Sequence, residues 1–92
     1  MSFYLKDPDS RVDYALDWRG YLDGQIVVDS DWSVVPDEPE GITIEAESFD
    51  IERAAATLSG GVAGHVYAVR NRVTLSDGSI DERTLSIRAE ER

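Results

Sequence analysis

The sequence contains no cysteine, a single histidine and fewer than half as many basic as acidic residues. Without cysteine, the chain can form neither a disulfide framework nor a thiolate metal site. Because small secreted domains often depend on disulfides, we expect this chain to fold in a reducing cytosol. Its first nine residues also lack the basic start and the apolar core of a signal peptide.

Long apolar runs and positive charge are equally scarce. No run approaches the roughly 20 apolar residues that a membrane-spanning helix needs. The 19 acidic and 9 basic residues give a formal net charge of -10. Nucleic acids and anionic membranes attract positively charged protein surfaces, so we expect neither as a partner.

The length of 92 residues suits a single domain with one hydrophobic core. We predict one domain over residues 1–92, with a lead-in strand and turn at 1–10 and a frayed polar tail at 90–92. A turn that contains Pro8 ends the lead-in strand, because proline cannot donate to a β-ladder.

Most of the remaining chain alternates between apolar and polar residues, the pattern of half-buried strands. In the longest such segment, 65–75, the predicted inward side carries Tyr67, Val69, Asn71 and Val73. The glycines before it would carry the chain across the end of a sandwich. Shorter segments alternate at Val12 to Trp18, Ile42 to Glu47, Arg53 to Leu58 and Ile80 to Ala89.

Three local details complete this prediction. Between Asp17 and Gly24 we predict a helical turn that plugs the sandwich with Tyr21 and Leu22. A bend near Ser30 would divide the segment 25–35 into two short strands. The residues predicted to face the core here and in the next segment are Ile26, Val28, Trp32, Val34, Ile42, Ile44 and Ala46.

The Asp77-Gly78 pair is a strong signal for a tight hairpin between the last two strands. About seven strands result, with turns roughly every 8 to 12 residues. The sequence therefore predicts an all-β, immunoglobulin-like antiparallel β-sandwich. Trp18 and Trp32 share faces with apolar residues, which favours core packing over exposed stacking platforms.

No residue set predicts catalysis. His65 follows a glycine in a turn, with no second histidine and no cysteine to complete a site, so we interpret it as a turn-packing or surface residue. The acidic clusters lack the spacing of a calcium-binding loop, and a solvated acidic rim is the favoured interpretation. Gly60, Gly61 and Gly64 lack the lysine and the strand-to-helix setting of a phosphate loop. We expect no enzyme activity, cofactor or metal site.

A basic stripe is the one candidate interaction site. Arg70 and Arg72 are predicted on the outer side of the long strand, with Arg83 across the hairpin. These arginines either form a cross-strand charge ladder with Asp81 and Glu82, or dock an acidic face of a neighbouring subunit.

The order of short motifs along the chain resembles a known family. The motifs are Lys6-Asp7-Pro8-Asp9, Asp13-Tyr14-Ala15-Leu16-Asp17-Trp18, Leu58-Ser59-Gly60-Gly61 with Gly64 and Tyr67, Asn71-Arg72-Val73-Thr74, Ser76-Asp77-Gly78 and Asp81-Glu82-Arg83-Thr84. Together they are similar to short tailed-bacteriophage and prophage structural proteins described as fibre-to-tail adaptors or minor virion proteins. The acidic loop from Pro36 to Glu40 departs from the pattern of that family.

The resemblance implies a non-enzymatic virion module that links the tail or neck to fibres or to a neighbouring ring. Its partners would be other virion proteins, met in multiple copies in a symmetric assembly, and it would reside in the virion after assembly in the host cytoplasm. Two alternatives stay open. One is an acidic nucleic-acid mimic that inhibits a DNA-binding enzyme, and the other is a carbohydrate- or calcium-binding adhesion module.

Overall fold

The computed structural model describes residues 2–91, without the side chains of residues 2 and 3. One 3-10 turn, Arg19–Tyr21, interrupts an otherwise all-β chain. The strands are β1 Ser2–Lys6, β2 Arg11–Asp17, β3 Val27–Val35, β4 Thr43–Phe49, β5 Arg53–Ser59, β6 Val66–Leu75 and β7 Ile80–Ala89. No helix among the described residues is long and apolar enough to span a membrane.

The strands form two sheets that face each other. The larger sheet has the order β1-β7-β6-β3 and the smaller one the order β2-β5-β4. The all-β sandwich prediction is confirmed, and every pairing is antiparallel except one. β1 runs parallel to β7, with Tyr4 opposite Ile87, and so joins the sheet beside the last strand of the chain.

Two-residue alternation correctly placed most of the core. On β6 the four predicted inward residues, from Tyr67 to Val73, are all fully buried. Trp18 and Trp32 are buried as predicted. The other buried apolar residues are Leu16, Leu22, Val27, Ile42, Ala54, Ala56, Leu58, Leu75, Leu85, Ile87 and Ala89, with Tyr14, Val34 and Ile44 packed against them.

The predicted crossover between the two sheets is confirmed at residues 60–65. Gly60 and Gly61 adopt positive φ angles of 77° and 115°. A Cβ at Gly60 would lie 2.6 Å from the Gly41 carbonyl oxygen, and one at Gly61 would lie 2.9 Å from Ala89. Both the backbone conformation and the space therefore require glycine here.

Two β-bulges overturn part of the predicted alternation. β3 is one continuous strand rather than two short ones, and its register shifts between Val27 and Asp29. Val27 consequently faces the core, while Ile26 and Val28 are exposed. A second shift between Ile44 and Ala46 leaves Ala46 exposed on β4. A bulge adds one residue to one strand, and every residue on one side of it changes face.

The predicted helical plug is half right. The 3-10 turn exists and Leu22 closes the sandwich with 8% exposure, but Tyr21 is 52% exposed. The ring of Tyr21 instead makes a T-shaped contact with Trp18, with 5.5 Å between ring centroids. At the other end of the chain, the Glu90 N–H donates to the Lys6 carbonyl oxygen at 2.9 Å, so the first residue of the predicted frayed tail has a partner. The last residue of that tail, Arg92, lies outside the described residues.

Candidate functional site

The surface carries open hollows. Three of them have volumes of about 200 to 270 Å³. Two lie side by side on the outer face of the smaller sheet, where Ser48 and Ala55 line both. None of the three includes His65, the residue that an acid–base site would have needed. Within residues 2–91, no group of three or more metal-ligating side chains is placed to hold an ion.

His65 belongs to a network that fastens the acidic loop to the crossover. Its Nδ1 lies 2.8 Å from Glu38 Oε1, and the Tyr67 hydroxyl donates to the same oxygen at 2.6 Å. The Val62 N–H in turn donates to the Tyr67 hydroxyl at 2.9 Å. These bonds from Tyr67 and His65 lower the pKa of the Glu38 carboxyl. A tyrosine near the start of a strand whose hydroxyl bonds the backbone a few residues upstream forms the tyrosine corner typical of such sandwiches. We therefore interpret this network as structural.

The outer face of the larger sheet brings Arg70 and Arg72 together, as predicted. Both alternate with buried neighbours on β6, and both are exposed. Arg72 lies between Asp31 of β3 and Glu82 of β7, with its Nε 3.7 Å from Glu82 Oε1. Arg72 therefore fits the charge ladder considered from the sequence, but with Glu82 alone, because Asp81 pairs with the buried Val73.

Arg70 differs from Arg72 because its neighbours are neutral. It lies between Ser33 on β3 and Thr84 on β7. Among the described residues, no hydrogen bond or ion pair engages its side chain. An exposed guanidinium without an internal acceptor keeps all of its donors for a partner.

The structure places Arg83 away from the other two. It pairs with Asn71, whose side chain points into the core, so Arg83 faces the smaller sheet. Its guanidinium donates to the Asp17 carbonyl oxygen at 2.7 Å and lies 4.8 Å from the centroid of the Tyr21 ring and 5.2 Å from that of Trp18. Arg83 thus bridges the two sheets at one end of the sandwich.

Apolar side chains share the outer face with Arg70. Leu5, Val35 and Val66 are 48%, 55% and 51% exposed. Val66 and Leu5 both pair with Arg88, and Val35 lies opposite Ala68, beside them on the same side of the sheet. Sequence reasoning did not single these residues out, although the alternation that sets Arg70 outward also sets Val66 outward. We call the surface formed by Leu5, Val35, Val66, Arg70 and Arg72 the arginine face.

Negative charge concentrates where β3 and β4 lie side by side. Burial, followed by the nearby Asp31 and Asp29 carboxylates, raises the pKa of Glu47, although contact with the Trp32 backbone N–H opposes this. A raised pKa means that folding favours the protonated form. The stability from this group is present at low pH and is lost as the pH rises through its folded pKa.

We therefore expect Glu47→Gln to raise the melting temperature at pH 7, because the neutral amide removes a repelled charge. The gain should shrink as the pH falls toward the ordinary glutamate pKa of about 4.3. Thermal melts of the variant and the parent across this range measure both effects. Glu45→Gln is the control, since Glu45 on the same strand accepts a bond from Ser59 instead. A gain that does not depend on pH would contradict this assignment.

Comparisons with known proteins identify the family and support the fold. The sequence profile described as "Podophage GP4 fiber-tail adaptor protein gp77" matches residues 6–88. The chain therefore belongs to this family of phage fibre–tail adaptors, and the resemblance noted from its motifs is confirmed. No curated protein matched the sequence.

A solved structure of similar fold is the solution structure of the PKD domain from the KIAA 1837 protein. It superposes with a TM-score of 0.57 over 99% of this chain and 80% of that one, at 15% identity. The immunoglobulin-like architecture predicted from the strand pattern is thereby confirmed. At this identity the likeness concerns the fold alone.

Proposed function

We propose that this member of the fibre–tail adaptor family is a non-enzymatic virion protein that links a phage tail to its fibres through protein–protein contacts. The observation that carries the proposal is the family match over residues 6–88. The exposed arginine face supports the proposal, because an adaptor binds its partners through surfaces that are complementary to theirs.

The arginine face is the docking surface that we assign to one of the two partners. Its apolar side chains supply area to bury, and Arg70 supplies a free cation on a chain whose net charge is -10. Such a surface fits an apolar patch of a neighbouring virion protein that carries a carboxylate near its centre. Several copies arranged around the tail axis would add their modest individual affinities through avidity.

Removal of the gene from the phage tests the proposed role. We expect particles that keep the tail but lack fibres, and we expect mass spectrometry to find this chain in purified parental particles. Complementation from a plasmid should restore the fibres. Fully fibred particles without the chain would refute the adaptor role.

The arginine face makes a sharper prediction. Arg70→Glu should weaken binding to one purified partner, the tail or the fibre protein of the same phage, by about tenfold or more. Arg11→Glu is the matched control: Arg11 is also exposed, and it begins β2 on the smaller sheet. Isothermal titration calorimetry measures both affinities. Equal losses for the two variants would show that only net charge matters.

A further inference from the structure

The bulge in β3 turns two apolar side chains outward at the edge of the larger sheet. Ile26 is 42% and Val28 is 48% exposed, although Val27 between them is buried. Bulges at sheet edges commonly re-aim side chains beside functional sites. Ile26 and Val28 do not pack in the core, so we ask what else these two exposed apolar side chains contact.

The turn between β4 and β5 adds one more apolar residue, Ile51, beside the bulge. The Val27 N–H donates to the Ile51 carbonyl oxygen at 2.8 Å, which sets Ile51 next to the outward pair. Ile51 is 57% exposed. Single exposed apolar residues are ordinary, but a group of them with a polar rim marks an interaction surface. We call Ile26, Val28 and Ile51 the bulge patch.

Three carboxylates and one cation, Arg53, adjoin the patch residues along the chain. Asp29 follows Val28, Asp50 precedes Ile51, and Glu52 comes next in the chain. Asp50 is held in place, because its Oδ1 accepts the backbone N–H groups of Glu52 and Arg53 at 2.9 and 2.8 Å. A partner that covers the patch must present cations opposite this rim, and a second copy of the same acidic patch would be repelled.

The apolar end of the arginine face lies far from the bulge patch, whereas Arg72 lies only two residues from Thr74, about 7 Å along the strand. Asp29, beside the bulge, pairs with Thr74 of β6, whereas Val66 begins that strand. Eight residues separate Thr74 from Val66, which is about 26 Å along a strand. A partner centred on Ile51 can therefore leave Leu5, Val35 and Val66 uncovered.

We propose that the bulge patch binds a second virion protein, distinct from the one that meets the arginine face, through an apolar surface bordered by lysine or arginine. This proposal rests on the proposed adaptor function and extends it. The two docking surfaces prefer opposite charges, so each partner would be directed to its own site and kept from the other.

Two matched substitutions test this arrangement. Ile51→Ser and Val66→Ser each remove a β-branched apolar side chain that is about half exposed, without changing charge. Each variant is titrated against the purified tail protein and the purified fibre protein of the same phage. We expect Ile51→Ser to weaken one partner by about tenfold and Val66→Ser to weaken the other, with melting temperatures unchanged. Binding at the bulge patch should also weaken as salt rises.

The possible results separate the two proposals. If the parent binds neither protein, the adaptor function itself fails. If the parent binds but Ile51→Ser affects neither partner, or affects the one that Val66→Ser affects, the second surface is wrong. If sedimentation shows a parental oligomer that Ile51→Ser dissociates, the patch binds another copy of this chain, and that too overturns the proposal.

Discussion

Replacing Asn71 by leucine is expected to lower the free energy of unfolding by about 2–4 kcal/mol. Asn71 is fully buried between the sheets. Its Oδ1 accepts the indole N–H of Trp18 at 2.9 Å, while its Nδ2 donates to Ser30 Oγ at 2.9 Å and to the Asp31 carbonyl oxygen at 3.1 Å. Leucine has a similar volume but satisfies none of these groups, so buried donors and acceptors lose their partners.

Urea unfolding of Asn71→Leu measures this loss. A domain of this size has a total stability of only about 5–15 kcal/mol, so the effect should be plain. The m-value should stay that of the parent if the fold persists. A variant as stable as the parent would show that Asn71 can be replaced by any residue that fills the space.

The two tryptophans supply a matched control for the hydrogen bond. Both indoles are buried, but the Trp32 Nε1–H has no partner among the described residues. Trp18→Phe should therefore cost about 1 kcal/mol more than Trp32→Phe. In the Asn71→Leu background that excess should disappear, because no acceptor is left behind. The same excess in both backgrounds would assign the cost to packing alone.

Alternation predicted the parts of the fold in which one strand pairs regularly with another. The side-chain period of a strand is two residues, so one apolar face is visible directly in the sequence. Tyr67 and Val69 lie in such a strand, and both are buried as predicted. The Asp77-Gly78 hairpin was predictable for a similar reason, because few residue pairs favour that turn.

The bulges could not be predicted in this way. At Val28 and again between Ile44 and Ala46, one extra residue reverses the face of its neighbours. Nothing in a one-dimensional pattern distinguishes Val27 from Val28, since both are valine and only the pairing with β6 decides between them. The same limit hid Ile26 and Val28 of the bulge patch, which look like core residues in the sequence.

The position of Arg83 in the candidate site also depended on the register between β6 and β7. Arg70 pairs with Thr84 and Arg72 with Glu82, so Arg83 must pair with Asn71 and point to the opposite face. A hairpin loop longer or shorter by one residue would have placed Arg83 on the outer face with the others. The sequence correctly predicted that the arginines of β6 are exposed, but it could not show on which face of the sheet Arg83 lies after the turn.

Polar contacts between distant segments were the least predictable feature, and Lys6 is the clearest example. It ends β1 and its side chain is buried. Its Nζ donates to the carbonyl oxygens of Asp7, Ser10 and Gly60 at 3.0, 2.7 and 2.7 Å. All three donors of the ammonium group are thereby used, and β1 is tied both to the turn that follows it and to the end of β5.

Lys6→Met is expected to destabilise the protein by about 2–4 kcal/mol. Methionine keeps the length of the side chain, but three carbonyl groups at the corner lose their donor. Burial lowers the pKa of this ammonium, and the carboxylates of Asp7 and Asp9 act in the opposite direction. The acidic turn therefore offsets part of the cost of burying the cation, which gives the Lys6-Asp7-Pro8-Asp9 motif a structural role.

The control for Lys6→Met is Arg11→Met, which removes an exposed cation close to the same corner. It should change the stability by no more than about 0.5 kcal/mol. Hydrogen exchange should show the loss in Lys6→Met first at β1 and at the adjoining end of β7, because β1 pairs only with β7 among the described strands. If the two variants were equally stable, the corner would be held by packing, and the hydrogen bonds of Lys6 would be incidental to it.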